Sequence, residues 1–380
     1  FFTWRGAFLP HSADSSPSFI RSFYSGVVCA GRRRQDTRMR NILVIAPSWV
    51  GDAVMAEPLY RRLAERWPGA AIDLYAPAWT LPLAARMDCV RQGVVNPFGH
   101  GALRLAERWR EGRELKRQGY DQAIVLPNSL KSALIPWFAG IPQRTGFVGE
   151  FRRGVLNDAR RLDKTALPTM VERFCALAED AGAPPKRPIA HPRLNVSAQA
   201  REAALQACGL SAGQPVMALC PGAEYGPAKR WPAAHFARLA QDALARGWQA
   251  WVFGSGKDQA IADEIVRLAG APTGLVNLCG RTGLDQAIDL MSLARLAVCN
   301  DSGLMHIAAA LRVPLVALYG SSSPGFTPPL SDQAEILSLK LDCSPCFKRE
   351  CPLGHTHCLT QLTPDQVWPA VGRLLPDSLP

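Results

Sequence analysis

Two kinds of apolar pattern alternate along this chain. Short, nearly unbroken apolar runs recur at Ile42–Ala46, Ala71–Tyr75, Ala123–Leu126, Val216–Leu219, Gln249–Phe253, Leu296–Cys299 and Leu315–Tyr319. Runs of this kind mark parallel strands buried on both faces. Between them, Ala53–Trp67, Leu103–Gln118, Ala233–Arg246, Asp258–Leu268, Leu284–Leu293 and Leu304–Leu311 space their apolar residues as helices do. Strand–helix alternation predicts βαβ units and parallel sheets, an α/β fold. The alternation breaks once, at a stretch with Pro184, Pro185, Pro188 and Pro192, which reads as a linker. The chain is therefore expected to form two Rossmann-like domains, 39–190 and 191–380, facing a central cleft. Ligands of such sheets bind at the carboxyl ends of the strands.

The first 38 residues show no such pattern. They are rich in Ser and Arg and do not begin with Met, whereas Met39 directly precedes the first apolar run. Met39 reads as the true start and residues 1–38 as a disordered, non-native extension, with an Arg-rich transit peptide as the rival reading.

Composition narrows the class. With 48% hydrophobic and 20% charged residues among 380, the chain is globular, and disordered or fibrous classes are excluded. No uncharged apolar run reaches the ~18 residues that a membrane span needs. The net charge is +11, of which +4 lies in the first 38 residues. The basic body suits a polyanionic partner: nucleic acid, a phosphorylated sugar or an anionic membrane surface. Seven of the eleven cysteines stand alone, which points to a reducing compartment.

The chemistry gathers at strand ends. Asp52 follows the first strand, where an ordinary helix cap and a general base are the two readings. Asn300, Asp301, Ser302, Gly303, Leu304, Met305 and His306 follow a later strand and open a helix. There Gly303 permits close backbone approach and the helix N-terminus suits a phosphate. A core histidine is the plainer reading of His306. The loop from Pro221 through Gly222 to Lys229 is long for its position, and Lys229 would offer a point charge to a diphosphate. Gly254 and Ser255 begin a glycine-rich turn, but Gln259 replaces the third glycine, so it is a weak dinucleotide fingerprint and remains a candidate phosphate or ribose turn. Cys343, Cys346, Cys351 and Cys358, with His355 and His357 among them, are compact enough for a structural zinc, or form a loop of reduced thiols.

These segments, taken in order with Asn96–Leu105, resemble the ADP-heptose:lipopolysaccharide heptosyltransferases, most closely the type II members. The resemblance runs from Met39 nearly to the C-terminus. It implies the two-domain GT-B architecture and no nucleotide-binding DxD motif. It also implies inverting transfer of L-glycero-D-manno-heptose from ADP-heptose to an inner-core heptose of lipopolysaccharide. By the same resemblance Asp52 is the catalytic base. Lys229, Asp301, Ser302, Gly303, Leu304, Met305 and His306 bind the donor, with Gly222, Gly254 and Ser255 nearby. Asn128, Ser129, Lys131, Arg144, Arg152 and Arg153 form a basic run for the phosphorylated acceptor, heptosyl-Kdo2-lipid A. ADP-heptose is then a substrate, no cofactor is required, and the protein works peripherally on the cytoplasmic, anionic face of the inner membrane. Other readings are a type I or III enzyme, another nucleotide-sugar transferase of this fold, a basic zinc-containing nucleic-acid binder, and a nicotinamide dehydrogenase.

Overall fold

The computed structural model describes residues 39–99, 101 and 103–376. The expected extension, residues 1–38, lies outside the described residues, as do His100 and Ala102 within the Asn96–Leu105 stretch.

Two six-stranded, wholly parallel sheets carry the fold. The first comprises β1 (Asn41–Ile45), β2 (Ala71–Ala76), β3 (Gln92–Val95), β4 (Gln122–Val125), β5 (Gln143–Phe147) and β6 (Asp158–Arg160). The second comprises β7 (Val216–Cys220), β8 (Gln249–Val252), β9 (Leu275–Asn277), β10 (Leu296–Asn300), β11 (Leu315–Leu318) and β12 (Ala334–Leu337). The first lobe carries helices α1 (Val50–Met55), α2 (Glu57–Arg66), α3 (Leu81–Ala84), α4 (Leu105–Lys116), α5 (Leu130–Phe138) and α6 (Met170–Ala176). The second carries α7 (Ala198–Cys208), α8 (Ala233–Ala245), α9 (Gln259–Leu268), α10 (Leu284–Met291), α11 (Gly303–Ala310), α12 (His357–Thr360) and α13 (Pro364–Leu374).

Both sheets have the same order. The first runs β3-β2-β1-β4-β5-β6, the second β12-β11-β10-β7-β8-β9. Each reverses direction between its first and fourth strand, β1 beside β4 and β7 beside β10. A crevice opens at such a reversal, outside the carboxyl ends of the strands. The central strands are buried on both faces. Ile42 and Val44 belong to one core cluster, Leu43 and Ile45 to another across the sheet. Each such side chain contributes about 1.5–3 kcal/mol of burial.

The helix predicted over Ala53–Trp67 is two helices. It breaks at Ala56, and Pro58, which has no N–H to give, sits in the first turn of α2. The first of them also begins earlier, at Val50, so Asp52 stands inside its first turn. Residues 181–197 form neither helix nor strand and run between the two sheets. Asn195 N donates to Arg86 O at 2.9 Å, and Leu194 N to Ala310 O at 3.1 Å. The lobes also meet directly, α1 against α11 and α3 against α10.

Candidate active site

The second lobe builds a cationic cradle. Asn300, fully buried at the end of β10, donates to Pro221 O at 2.7 Å and accepts from Trp231 N at 3.1 Å. One side chain thus ties both ends of the Pro221–Trp231 loop to the strand that precedes Asp301. The loop's short helical turn, Pro227–Lys229, delivers Lys229 Nζ to Asp301 Oδ2 at 2.5 Å. The ammonium also lies 5.3 Å from the Tyr225 ring centroid. Ser302 is the N-cap of α11, yet its hydroxyl makes no capping bond and is buried without any partner. A buried hydroxyl at a helix N-terminus, beside a lysine, is disposed to bind an anion.

The first lobe presents Asp52. The N-cap of α1 is Trp49, and no side chain caps that helix, so the capping reading of Asp52 does not hold. Its carboxyl is pushed up to about 6 by burial, against the lowering pull of Lys229 and with a raising push from Asp301. Two groups of the second lobe therefore act on a carboxylate of the first. His306, in the first turn of α11, is buried, and desolvation lowers it to about 4, so it is neutral at pH 7. Its ring packs against Gly51, the residue before Asp52.

Several candidate residues stand elsewhere than the sequence reading put them. Met305 turns into the core, where its sulfur accepts from Tyr319 Oη at 3.5 Å. Leu304 packs partly against the same core. Gly222 and Gly254 come together around Asp258: a Cβ on Gly222 would lie 2.7 Å from that carboxylate, and one on Gly254 2.8 Å from Asp258 Cβ. Ser255 gives both its N–H (2.9 Å) and its hydroxyl (2.8 Å) to Asp258. That turn satisfies its own polar groups, and the glycines serve its packing.

The basic run is likewise divided. Arg152 is fully buried and donates to Phe147 O, to Pro127 O at 2.5 Å and to Asn128 Oδ1 at 3.0 Å. Arg144 donates to Val155 O at 2.7 Å and Ile141 O at 2.5 Å. Both are structural braces bound to carbonyls. Ser129 caps α5, accepting from Ser132 N at 3.4 Å. Lys131 is half-buried on that helix, and Arg153 is exposed. Asn128 and Ser129 do stand at the carboxyl end of β4, beside β1, at the first sheet's reversal.

The four clustered cysteines line a cavity of about 20 Å³ with His355 and Ser321. Among the described residues no three Cys, His, Asp or Glu side chains are grouped to hold a metal ion, so the zinc expectation is not supported. The loop instead backs the donor side: Arg349 O accepts from Ala228 N at 3.0 Å, and Phe347 O from Tyr225 Oη at 3.0 Å.

Sequence reasoning missed Tyr225 and the tethering role of Asn300. It also missed Ser321 and Ser322, whose hydroxyls are buried and unpartnered just past β11. The one available signal was their place after a buried strand.

Residues 108–357 match the family model described as "Glycosyltransferase family 9 (heptosyltransferase)". The chain is 48% identical over 341 residues to "Lipopolysaccharide heptosyltransferase 2" of Escherichia coli (strain K12), covering 88% of this chain and 98% of that protein. It is 47% identical over 348 residues to "Lipooligosaccharide heptosyltransferase 2" of Haemophilus ducreyi, covering 88% of this chain and 99% of that one. Among solved structures, "E. coli ADP-heptose lps heptosyltransferase II" superposes with a TM-score of 0.80 at 45% identity, covering 88% of this chain and 98% of that chain.

Proposed function

Because the chain belongs to glycosyltransferase family 9, the heptosyltransferases, we propose that it is a type II enzyme with the GT-B fold. It carries L-glycero-D-manno-heptose from ADP-heptose to the inner-core heptose of a heptosyl-Kdo2-lipid A acceptor. The observation that carries the mechanism is the packing of α1, which holds Asp52, against α11, whose N-cap Ser302 follows the Lys229-paired Asp301.

Asp52 accepts the proton of the acceptor hydroxyl. The freed oxygen electron pair forms the new bond to the anomeric carbon. The bond from that carbon to the diphosphate oxygen breaks on the opposite side, so configuration inverts and ADP departs with the electron pair. Lys229 faces the developing charge, and the N–H groups at the start of α11 and the Ser302 hydroxyl donate to it. His306, being neutral, adds no charge and packs the floor of the site. Incubation of the purified protein with ADP-heptose and heptosyl-Kdo2-lipid A tests the reading: a product one heptosyl unit heavier is expected. Transfer only to an acceptor lacking the first heptose would make it a type I enzyme instead. Membership in the family sets aside the nucleic-acid-binding and dehydrogenase readings.

A lipid acceptor also puts the protein, peripherally, on the cytoplasmic face of the inner membrane. No described helix is long and apolar enough to cross a membrane. Leu105 and Trp109 on α4 and Trp137 on α5 expose 46–51% of their surface, next to Arg110 and Arg113. Exposed aromatics with basic neighbours suit an anionic lipid surface. Co-sedimentation with phosphatidylglycerol vesicles that weakens in Trp109→Ser/Trp137→Ser supports this placement; equal recovery with and without vesicles refutes it.

A further inference from the structure

Glycine inside a helix needs a reason, since in a helix interior it is less favourable than alanine by roughly 0.5–1 kcal/mol. Gly51 lies in the first turn of α1 and Gly303 is the first residue of α11. Neither adopts the left-handed backbone that only glycine takes easily, so conformation does not demand them. Space does. A Cβ on Gly303 would lie 2.9 Å from Val50 Cβ, 3.0 Å from Val50 Cγ1 and 3.3 Å from Gly51 N. A Cβ on Gly51 would lie 2.9 Å from His306 Cδ2 and 3.6 Å from Gly303 Cα. Each glycine makes room for the other lobe, and each directly adjoins the site: Gly51 precedes Asp52, and Gly303 follows Asp301 and Ser302.

We propose that Gly51 and Gly303 form a bare-backbone bearing on which the two lobes seat, and that this bearing sets the distance between the base and the donor cradle. They are positioning residues. The proposal rests on the transferase reading above and goes beyond it by naming what fixes the gap between the half-sites. A methyl group at either position wedges α1 from α11. It carries Asp52 away from Lys229, and it does so without removing a group that touches either substrate. Displacement on the order of 1 Å from reactive geometry can cost about 10²-fold in rate.

The test uses the full chain and a reciprocal pair. Gly303→Ala should lower kcat at least tenfold. Val50→Gly, which removes the two nearest atoms the new methyl would meet, should restore most of kcat in the double variant. Gly51→Ala, wedged on a different partner and lying outside the donor cradle, should repeat the loss while its Kd for ADP, measured by calorimetry, changes less than threefold. Amide hydrogen exchange in α1 and α11, which needs no turnover, should quicken in Gly303→Ala and return in the double variant. The bearing is overturned by a kcat within threefold of the parent in Gly303→Ala. It is also overturned if ADP affinity falls as steeply as kcat in Gly51→Ala, or if Val50→Gly restores neither kcat nor exchange in Gly303→Ala. A parent protein that transfers no heptose from ADP-heptose overturns the transferase reading instead, and the exchange measurement still judges the bearing.

Discussion

Asp52 concentrates the chemistry at the residue scale, because one environment sets both its function and its cost. Burial raises its carboxyl from 3.8 to about 6. It must be ionised to take a proton, so kcat/KM should rise with pH through about 6 and then level off. Asp52→Asn should lose about 10²–10⁴-fold in kcat, the usual contribution of a general base, with ADP affinity little changed. Stability runs the other way. The folded protein holds this proton more tightly than the unfolded chain does. The associated stabilisation is complete below pH 3.8, declines as pH rises to about 6, and is absent above that. Asp52→Asn should therefore melt higher than the parent at pH 8, by about 1–3 kcal/mol, with the difference closing near pH 4. Equal melting temperatures at both pH values would show that Asp52 is solvated and that its carboxyl is not raised. A Lys229→Met variant probes the same balance, since it removes the group that lowers Asp52; the acid limb should then move to higher pH.

At the scale of elements, the donor loop is a strand-to-helix connection held at both ends by Asn300 and from behind by the cysteine-bearing loop. Gly226 is where the backing comes closest: a Cβ there would lie 2.4 Å from Arg349 O and 2.9 Å from Arg349 Cα, both backbone atoms that cannot swing aside. Gly226→Ala should displace the loop and Lys229 with it. A tenfold or greater rise in the ADP dissociation constant is expected, about 1.4 kcal/mol, with the acceptor KM little changed. Calorimetry with ADP checks it, and unchanged affinity would mean that the loop moves freely of its backing. This arrangement was half legible. The central strands announce themselves because burial on both faces forces continuous apolar sequence. The ends of β1, β7 and β10 were therefore locatable, and with them Asp52, Lys229 and Asp301. Edge strands lack that constraint: β3 is mostly exposed and β6 reads Asp158-Ala159-Arg160, so neither stands out. The division of the arginines was illegible for a different reason. An arginine that braces carbonyls, as Arg152 does, and one that faces a ligand are the same letter, and only long-range contacts tell them apart.

On the scale of the whole molecule, a site divided between two lobes depends on whatever holds them in register, and one ion pair does so away from the chemistry. Arg86, just past α3 in the first lobe, donates to Asp289 on α10 at 2.8 Å and lies 2.6 Å from its second oxygen. Asp289 is buried, and that burial raises its carboxyl even though Arg86 pulls it down. Such a pair adds little net stability over an apolar replacement, but loss of one partner strands the other. Arg86→Ala should destabilise the protein by about 3 kcal/mol at pH 8, because an unpaired carboxylate is left in the interface. As pH falls Asp289 takes up a proton, the stranded charge disappears, and the gap to the parent should narrow. Arg86→Met/Asp289→Leu should recover most of the stability at pH 8. Thermal melts of the three proteins at pH 8 and pH 5 check this, and a deficit that is the same at both pH values would show that Arg86 acts by packing alone. Turnover separates two roles for the pair. If it is only glue, the double variant regains full kcat with its stability. If its directional hydrogen bond also fixes the angle between the lobes, the apolar pair restores the melt but leaves kcat low, because Asp52 then meets the donor cradle in the wrong register.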